Sequence, residues 1–224
     1  MKDGFDINIA ISIERNEFVV EQMGRNGVIA NKNISPDAFL SCVANSCIED
    51  NIQKSGLLPK GCIATSIGRK NRYYFMRYTA LEADFTYATT EYLHFPIPRL
   101  VFGFEYQPAV QKVTGYRVCV VPDGPLQSDS TLYHYPFSNV GVNGHICLGN
   151  NALPKYKRPE QLSTLPDYIL RIPNNNDHYS TQHNKQGLQY RDLLEHLKDK
   201  SPAYYYEHVL VESGRTLGQF LEWS

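Results

Sequence analysis

The segment Tyr133 to Asn151, YHYPFSNVGVNGHICLGNN, holds one of only five cysteines in the chain. Cys147 is flanked by Gly144 and Gly149, and Asn139 lies eight residues upstream. A cysteine thiolate is intrinsically very nucleophilic, so its surroundings decide whether it reacts or simply packs. The triplet Ile146-Cys147-Leu148 is apolar, and free cysteine is among the most buried residue types. The glycine-punctuated loop around it points the other way, because it lets another chain approach closely. Two kinds of chemistry fit. Hydrolysis needs a histidine base, and His145 would share a side with Cys147 in an extended segment; His134, His178 and His183 are further candidates. No Cys-His family signature accompanies them. Thioester exchange needs less activation, because the thioester is already reactive. It does need a hydrogen-bond donor for the tetrahedral oxyanion, which the Asn139 side-chain amide can supply. Asn139 also suits a plainer role as a turn residue beside Gly141, bonding backbone groups.

These residues need a scaffold, and its elements are legible in part. Asp6 to Ile13 alternates apolar and polar residues, which predicts a half-buried strand. Glu17 to Met23 and Gly27 to Asn31 read as two more strands, with turns at Arg15-Asn16 and Gly24 to Asn26. Ser35-Pro36-Asp37 opens a helix to about Asp50, with Phe39, Leu40, Val43 and Cys47 at helical spacing. Cys42 and Cys47 sit five apart on different faces, so they read as core thiols rather than a zinc site. After Gly56-Leu57-Leu58-Pro59 the texture turns to strands: Cys62 to Ile67, Tyr73 to Thr79, Arg99 to Tyr106 and Gly115 to Val121. Gly68-Arg69-Lys70-Asn71 marks a hairpin turn, and its cations read as solvated. Cys119 lies among valines and reads as core.

Tyr133 to Pro154 carries too many glycines and prolines for a long helix or a central strand. Pro159 to Ile172 has a helical pattern that Pro166 must start or kink. Asn174 to Gln186 is polar and is expected to be mobile, with His178 and His183 solvated. Leu188 to Lys200 predicts an amphipathic helix with Leu193, Leu194 and Leu197 inward. A run of strands beside a run of helices argues α+β rather than alternating α/β.

With the elements in order, the active-segment residues resemble a known pattern. Asn139-Val140, Gly144 and Ile146-Cys147-Leu148 reproduce the spacing around the active cysteine of ubiquitin-conjugating enzymes. The wider likeness is to the prokaryotic ubiquitin-conjugating-enzyme-like family D of the PRTRC system. It rests on Gly56-Leu57-Leu58-Pro59, Pro98-Arg99-Leu100-Val101-Phe102 and Pro136-Phe137-Ser138-Asn139-Val140, with Gly144, Cys147, Leu148 and Gly149. It spans Gly56 to Lys200 and is sharp from Pro96 to Asn150. The resemblance implies an α+β, ubiquitin-conjugating-enzyme-like core over residues 56–224, with an antiparallel β-meander and C-terminal helices. A small β-rich extension, residues 1–55, precedes it and resembles nothing specific in such a core.

The resemblance further implies Cys147 as thioester acceptor, Asn139 as oxyanion or loop-positioning residue, and Asp177 as the residue that orients an incoming amine. Phe137, Gly144 and Gly149 are then loop-shaping. The implied partners are a ubiquitin-like protein and a ThiF-type adenylating activating-enzyme-like protein. Where the eukaryotic tripeptide has histidine and proline before the asparagine, this chain has Phe137 and Ser138. The alternatives are an inert binding module of the same shape, or a cysteine hydrolase.

Composition bounds the rest. The chain has 224 residues, 42% of them hydrophobic and 20% charged, enough to bury a sizeable core. A formal net charge of -1 argues against a nucleic-acid partner. No apolar run reaches the length of a membrane span, and the N-terminal stretch lacks the pattern of a signal peptide. Five cysteines at irregular spacing argue for free thiols in a reducing cytoplasm. Neither a metal nor a cofactor is expected.

Overall fold

The computed structural model describes residues 6–12, 17–24, 27–46 and 55–223, and the chain divides into two compact units, Met1–Lys54 and Ser55–Ser224. In the first unit β1 (Asp6–Ser12), β2 (Glu17–Gly24) and β3 (Gly27–Ile34) form an antiparallel sheet in that order. The third strand runs three residues past its expected end. Helix α1 (Pro36–Ser46) follows, and the Ser35 hydroxyl caps it by accepting from the Ala38 N–H at 3.1 Å. Phe18 of β2 stacks on Phe39 of α1 with ring centroids 4.7 Å apart. The turn at Arg15-Asn16, part of that at Gly24 to Asn26, and the side chains of Cys42 and Cys47 lie outside the described residues.

The second unit opens with β4 (Cys62–Ile67) and β5 (Arg72–Tyr78), joined by the expected turn. Next comes a separate two-stranded hairpin, β6 (Glu82–Tyr87) and β7 (Thr90–Pro96). Sequence reading gives no strands there. The turn holds Ala88 at φ +53° where the usual signal is glycine or asparagine, so nothing marks it. β8 (Leu100–Gln107), β9 (Lys112–Val120) and the short β10 (Thr131–Tyr133) continue the main sheet. After it come α2 (Leu165–Leu170), α3 (Tyr190–Leu197), α4 (Pro202–His208), β11 (Glu212–Thr216) and α5 (Leu217–Leu221). The main sheet has the order β11-β10-β9-β8-β5-β4, so three of the expected strands, β5, β8 and β9, are adjacent and antiparallel, as a meander requires. This mixed α+β architecture, with its antiparallel sheet and C-terminal helices, agrees with the expected class.

Both faces of the central strands are covered, which explains why β8 and β9 read as near-continuous apolar runs. On one face Tyr74, Met76, Phe102, Phe104, Val118 and Val120 pack with the helices, and Leu193, Leu194 and Leu197 of α3 are buried as their spacing predicts. Each large ring hidden this way contributes about 1.5–3 kcal/mol. On the other face Phe75, Val101, Cys119 and Val121 meet Leu217 and Phe220 of α5. Trp223 seats over Gly103 and Gly115, where an added Cβ would come within 3.1 Å and 2.7 Å of its ring. A glycine inside a strand often marks such a close approach.

Arg117 pins this C-terminal piece. Its guanidinium lies 4.2 Å from the Trp223 ring centre and 4.8 Å from that of Phe220, and it donates to the carbonyls of Phe220 and Glu222. Burial lowers its pKa to about 10. No helix among the described residues is long and apolar enough to cross a membrane.

Candidate active site

Cys147 lies on a short irregular arm that folds back along β9. The Val118 N–H donates to Gly144 O at 2.8 Å and the Ile146 N–H donates to Tyr116 O at 3.1 Å, so the arm pairs with the length of β9 that the short β10, bonded only at Val120, leaves open. Within the arm, Val140 and Ile146 pair as an antiparallel bridge. The Cys147 N–H donates to Asn139 O at 2.7 Å, which brings the two sequence-predicted residues side by side. Ile146 and Leu148 are buried, while Cys147 between them is only half-buried. Period-two alternation accounts for the contrast: the neighbours face the core and the thiol faces outward.

The shape of the arm follows from three of its residues. Gly144 sits at φ +85°, and a Cβ there would lie 2.6 Å from Val118 O, so no other residue fits. Gly149 needs its left-handed φ of +55° but has open space around it. Phe137 is a core anchor, packed edge-on or tilted against Phe85, Phe95, Tyr135 and Tyr205. Its ring ties the arm to the core two residues before Asn139.

Asn139 has φ +63°, a conformation asparagine tolerates better than most residues. Its N–H donates to Asp177 O at 2.8 Å, and its Nδ2 donates to Pro173 O at 3.2 Å. In this state, then, the side-chain amide braces the loop. Asp177 is exposed, its carboxylate accepting from Asn175 Nδ2 at 2.8 Å. Backbone bonds therefore link Cys147 to Asn139 and Asn139 to Asp177.

The 174–186 segment departs from its expected mobility. Asn174 N–H donates to Thr86 O of β6 at 2.7 Å, and the buried Asn174 side chain accepts from Ser138 Oγ and from the Tyr190 hydroxyl, each at 3.0 Å. Asn184 is also buried, and its Oδ1 accepts from the Leu188 N–H at 3.1 Å. His183 is not solvated as expected: its ring stacks on His134 at 4.3 Å, and burial lowers the pKa of both histidines. His178 is exposed, as expected. His145, the candidate base, stacks on Tyr116 at 5.5 Å. Asn174 and Tyr190 are site residues that sequence reading missed; Asn174 showed only as one member of an asparagine run.

Of the other thiols, Cys119 is buried and its pKa is pushed up by desolvation, as a core cysteine's should be. Cys62 is half-buried, donates to Ala64 O at 3.3 Å, and is likewise raised by burial. Beside the arm, Asn151, Tyr156, Tyr168, Arg171 and Pro173 border an open groove of about 520 Å³. Through Pro173, whose carbonyl Asn139 holds, this groove adjoins the Cys147 segment.

No curated protein and no solved structure matches the chain. The model of prokaryotic E2 family D matches residues 39–213. That match begins inside α1, N-terminal of the Gly56 where the sequence likeness starts, so residues 39–55 also fall within the family's span. With more than half the chain matched and the α+β sheet-and-helix architecture described above, the chain belongs to prokaryotic E2 family D, a conjugating-enzyme-like family.

Proposed function

We propose that the protein accepts a ubiquitin-like protein as a thioester on Cys147 and passes it to an amine. The observation that carries this reading is the half-buried Cys147 bonded through its N–H to Asn139, whose own N–H is held by Asp177 O. In the first step the Cys147 thiolate attacks the thioester carbonyl of the charged activating enzyme. The resulting oxyanion collapses and expels the activating enzyme's thiolate. In the second step an amine attacks the new thioester, Cys147 leaves as thiolate, and the amine loses a proton. Asn139 swings its Nδ2 from Pro173 O to the oxyanion in either step, where a donor is most effective. The Asp177 carboxylate orients the incoming amine, and the groove beside Pro173 gives an extended chain room to approach.

The partners fitting this chemistry are a ubiquitin-like protein and a ThiF-type activating enzyme of a PRTRC-type system in the cytoplasm. A cysteine hydrolase fits less well, since the nearest histidine in sequence, His145, is stacked on Tyr116. The inert-module reading gains one point from the bond between Asn139 and Pro173, which occupies the amide in this state. The test is to mix the protein with activating enzyme, ubiquitin-like protein and ATP. The expected product is an adduct that thiol reductant removes. Cys147→Ser should give a slower, reductant-resistant ester, because serine's oxygen is a poor nucleophile without a base. Full adduct yield in Cys147→Ala would move the acceptor elsewhere.

A further inference from the structure

Asn174 makes more bonds than its place in a connecting loop requires. Its N–H donates to Thr86 O at 2.7 Å, and its carbonyl accepts from the Ala88 N–H at 3.4 Å. Its Oδ1 accepts from Ser138 Oγ and the Tyr190 hydroxyl, and its Nδ2 donates to Ile172 O at 3.3 Å. It thereby joins the β6–β7 hairpin, the end of α2, the start of α3 and the Cys147 arm. All of this happens with Asn174 only 7% exposed and Ser138 only 1%. If packing were all that mattered, an apolar side chain of similar volume would serve as well. A fully bonded buried polar group instead fixes one arrangement among several apolar alternatives.

The arm is gripped by the 173–177 stretch at three successive points. Pro173 O takes the Asn139 amide, Asn174 takes the Ser138 hydroxyl, and Asp177 O takes the Asn139 N–H. Asn174 is the only buried member of the three, since Pro173 and Asp177 are exposed. Exposed bonds compete with water, so the buried bond fixes the register on which the outer two depend. One step further along, Asn139 O takes the Cys147 N–H.

We infer that Asn174 is a positioning residue: through Ser138 and Tyr190 its buried amide sets the register of the Asn139–Cys147 pair. The polar clamp of Ser138, Asn174 and Tyr190 works beside the apolar clamp of Phe137 and holds the asparagine at its left-handed φ. The purpose assigned to this clamp rests on Cys147 being the thioester acceptor, but the clamp itself is readable without turnover.

The experiment is residue-resolved hydrogen exchange on the whole protein by NMR. Asn174→Leu should speed exchange of the Asn139 and Cys147 backbone N–H groups by about tenfold or more, as expected for loss of a buried bond. The N–H groups of Val101 and Phe102 in β8 should keep their protection. Asn174→Asp retains the acceptor for both hydroxyls and should restore most of the protection. If Asn174→Leu does not fold, Ser138→Ala, which removes only the link to the arm, gives the decisive comparison. Equal acceleration throughout the sheet, or unchanged exchange at Asn139 and Cys147 in Ser138→Ala, would overturn the proposal. Because no partner protein is present, an absence of charging in the conjugation assay leaves this result untouched and counts only against the thioester reading.

Discussion

Cys119 and Cys147 occupy adjoining stretches of backbone, joined where Arg117 pairs with His145 and where the Ile146 N–H meets Tyr116 O. One belongs to a regular strand covered on both faces, and the other to an arm held by glycine, asparagine and backbone bonds. Cys119 is packed with Phe75, Val101 and Leu217, and burial disfavours its thiolate. Cys147 is half-buried between two buried neighbours. The difference lies not in the residue but in whether the local backbone turns the side chain into the core or away from it.

The sharpest way to test this contrast is alkylation of the native protein with iodoacetamide, followed by peptide mapping. Cys147 should react at least about a hundredfold faster than Cys119, whose thiol is reachable only through opening of the sheet. Comparable rates would erase the distinction. Asn139→Gly should come next in size. Glycine accepts the φ of +63° freely, so this variant removes the amide without the backbone strain that alanine would add. Loss of an oxyanion donor should slow transfer from charged Cys147 by roughly a hundredfold. If the amide only braces the loop, charging and transfer should weaken together, with a lower melting temperature.

Two substitutions probe the supports of each cysteine. Gly144→Ala forces a Cβ against Val118 O and should cost about 3 kcal/mol, read as a melting-temperature fall of roughly 6–12 °C. Arg117→Ala loosens the cover over Cys119 by removing the ring stack and two carbonyl bonds, and should cost about 2 kcal/mol. In Arg117→Ala, Cys119 should alkylate faster while Cys147 keeps its rate.

The smallest effect is pH dependence. His134 and His183 have folded pKa values below the ordinary 6.5, so the unfolded chain takes up protons first as pH falls. Their contribution is complete above about pH 6.5 and is lost as pH drops toward the folded values. His183→Phe keeps a stacked ring without titration and should flatten the melting-temperature profile below about pH 6.5. An unchanged slope would mean that other groups set it.

The regular parts of the fold were legible because alternation and helical spacing record burial directly. The strands of the main sheet and the inward leucines of α3 are examples. The β6–β7 hairpin was not, since its turn carries neither glycine nor asparagine. Nor was the seat of Trp223, although Gly103 and Gly115 inside strands are its signal. At the site, Cys147, Asn139 and Gly144 stood out through chemistry and spacing. Asn174 did not, because a buried asparagine and a solvated one look the same in a polar run. Its partners Ser138 and Tyr190 lie 36 and 16 residues away, and no local pattern links them.

The central claim, that Cys147 carries a ubiquitin-like protein as a thioester, is most directly tested in the cells that make this protein. It is isolated under acidic, non-reducing conditions, and the Cys147 peptide is analysed by mass spectrometry. The account predicts a branched peptide in which the C-terminus of a small protein is joined to Cys147, and its loss on brief treatment with dithiothreitol. A branch that survives dithiothreitol, or one mapped to any other residue while Cys147 is recovered as a free thiol, would contradict it.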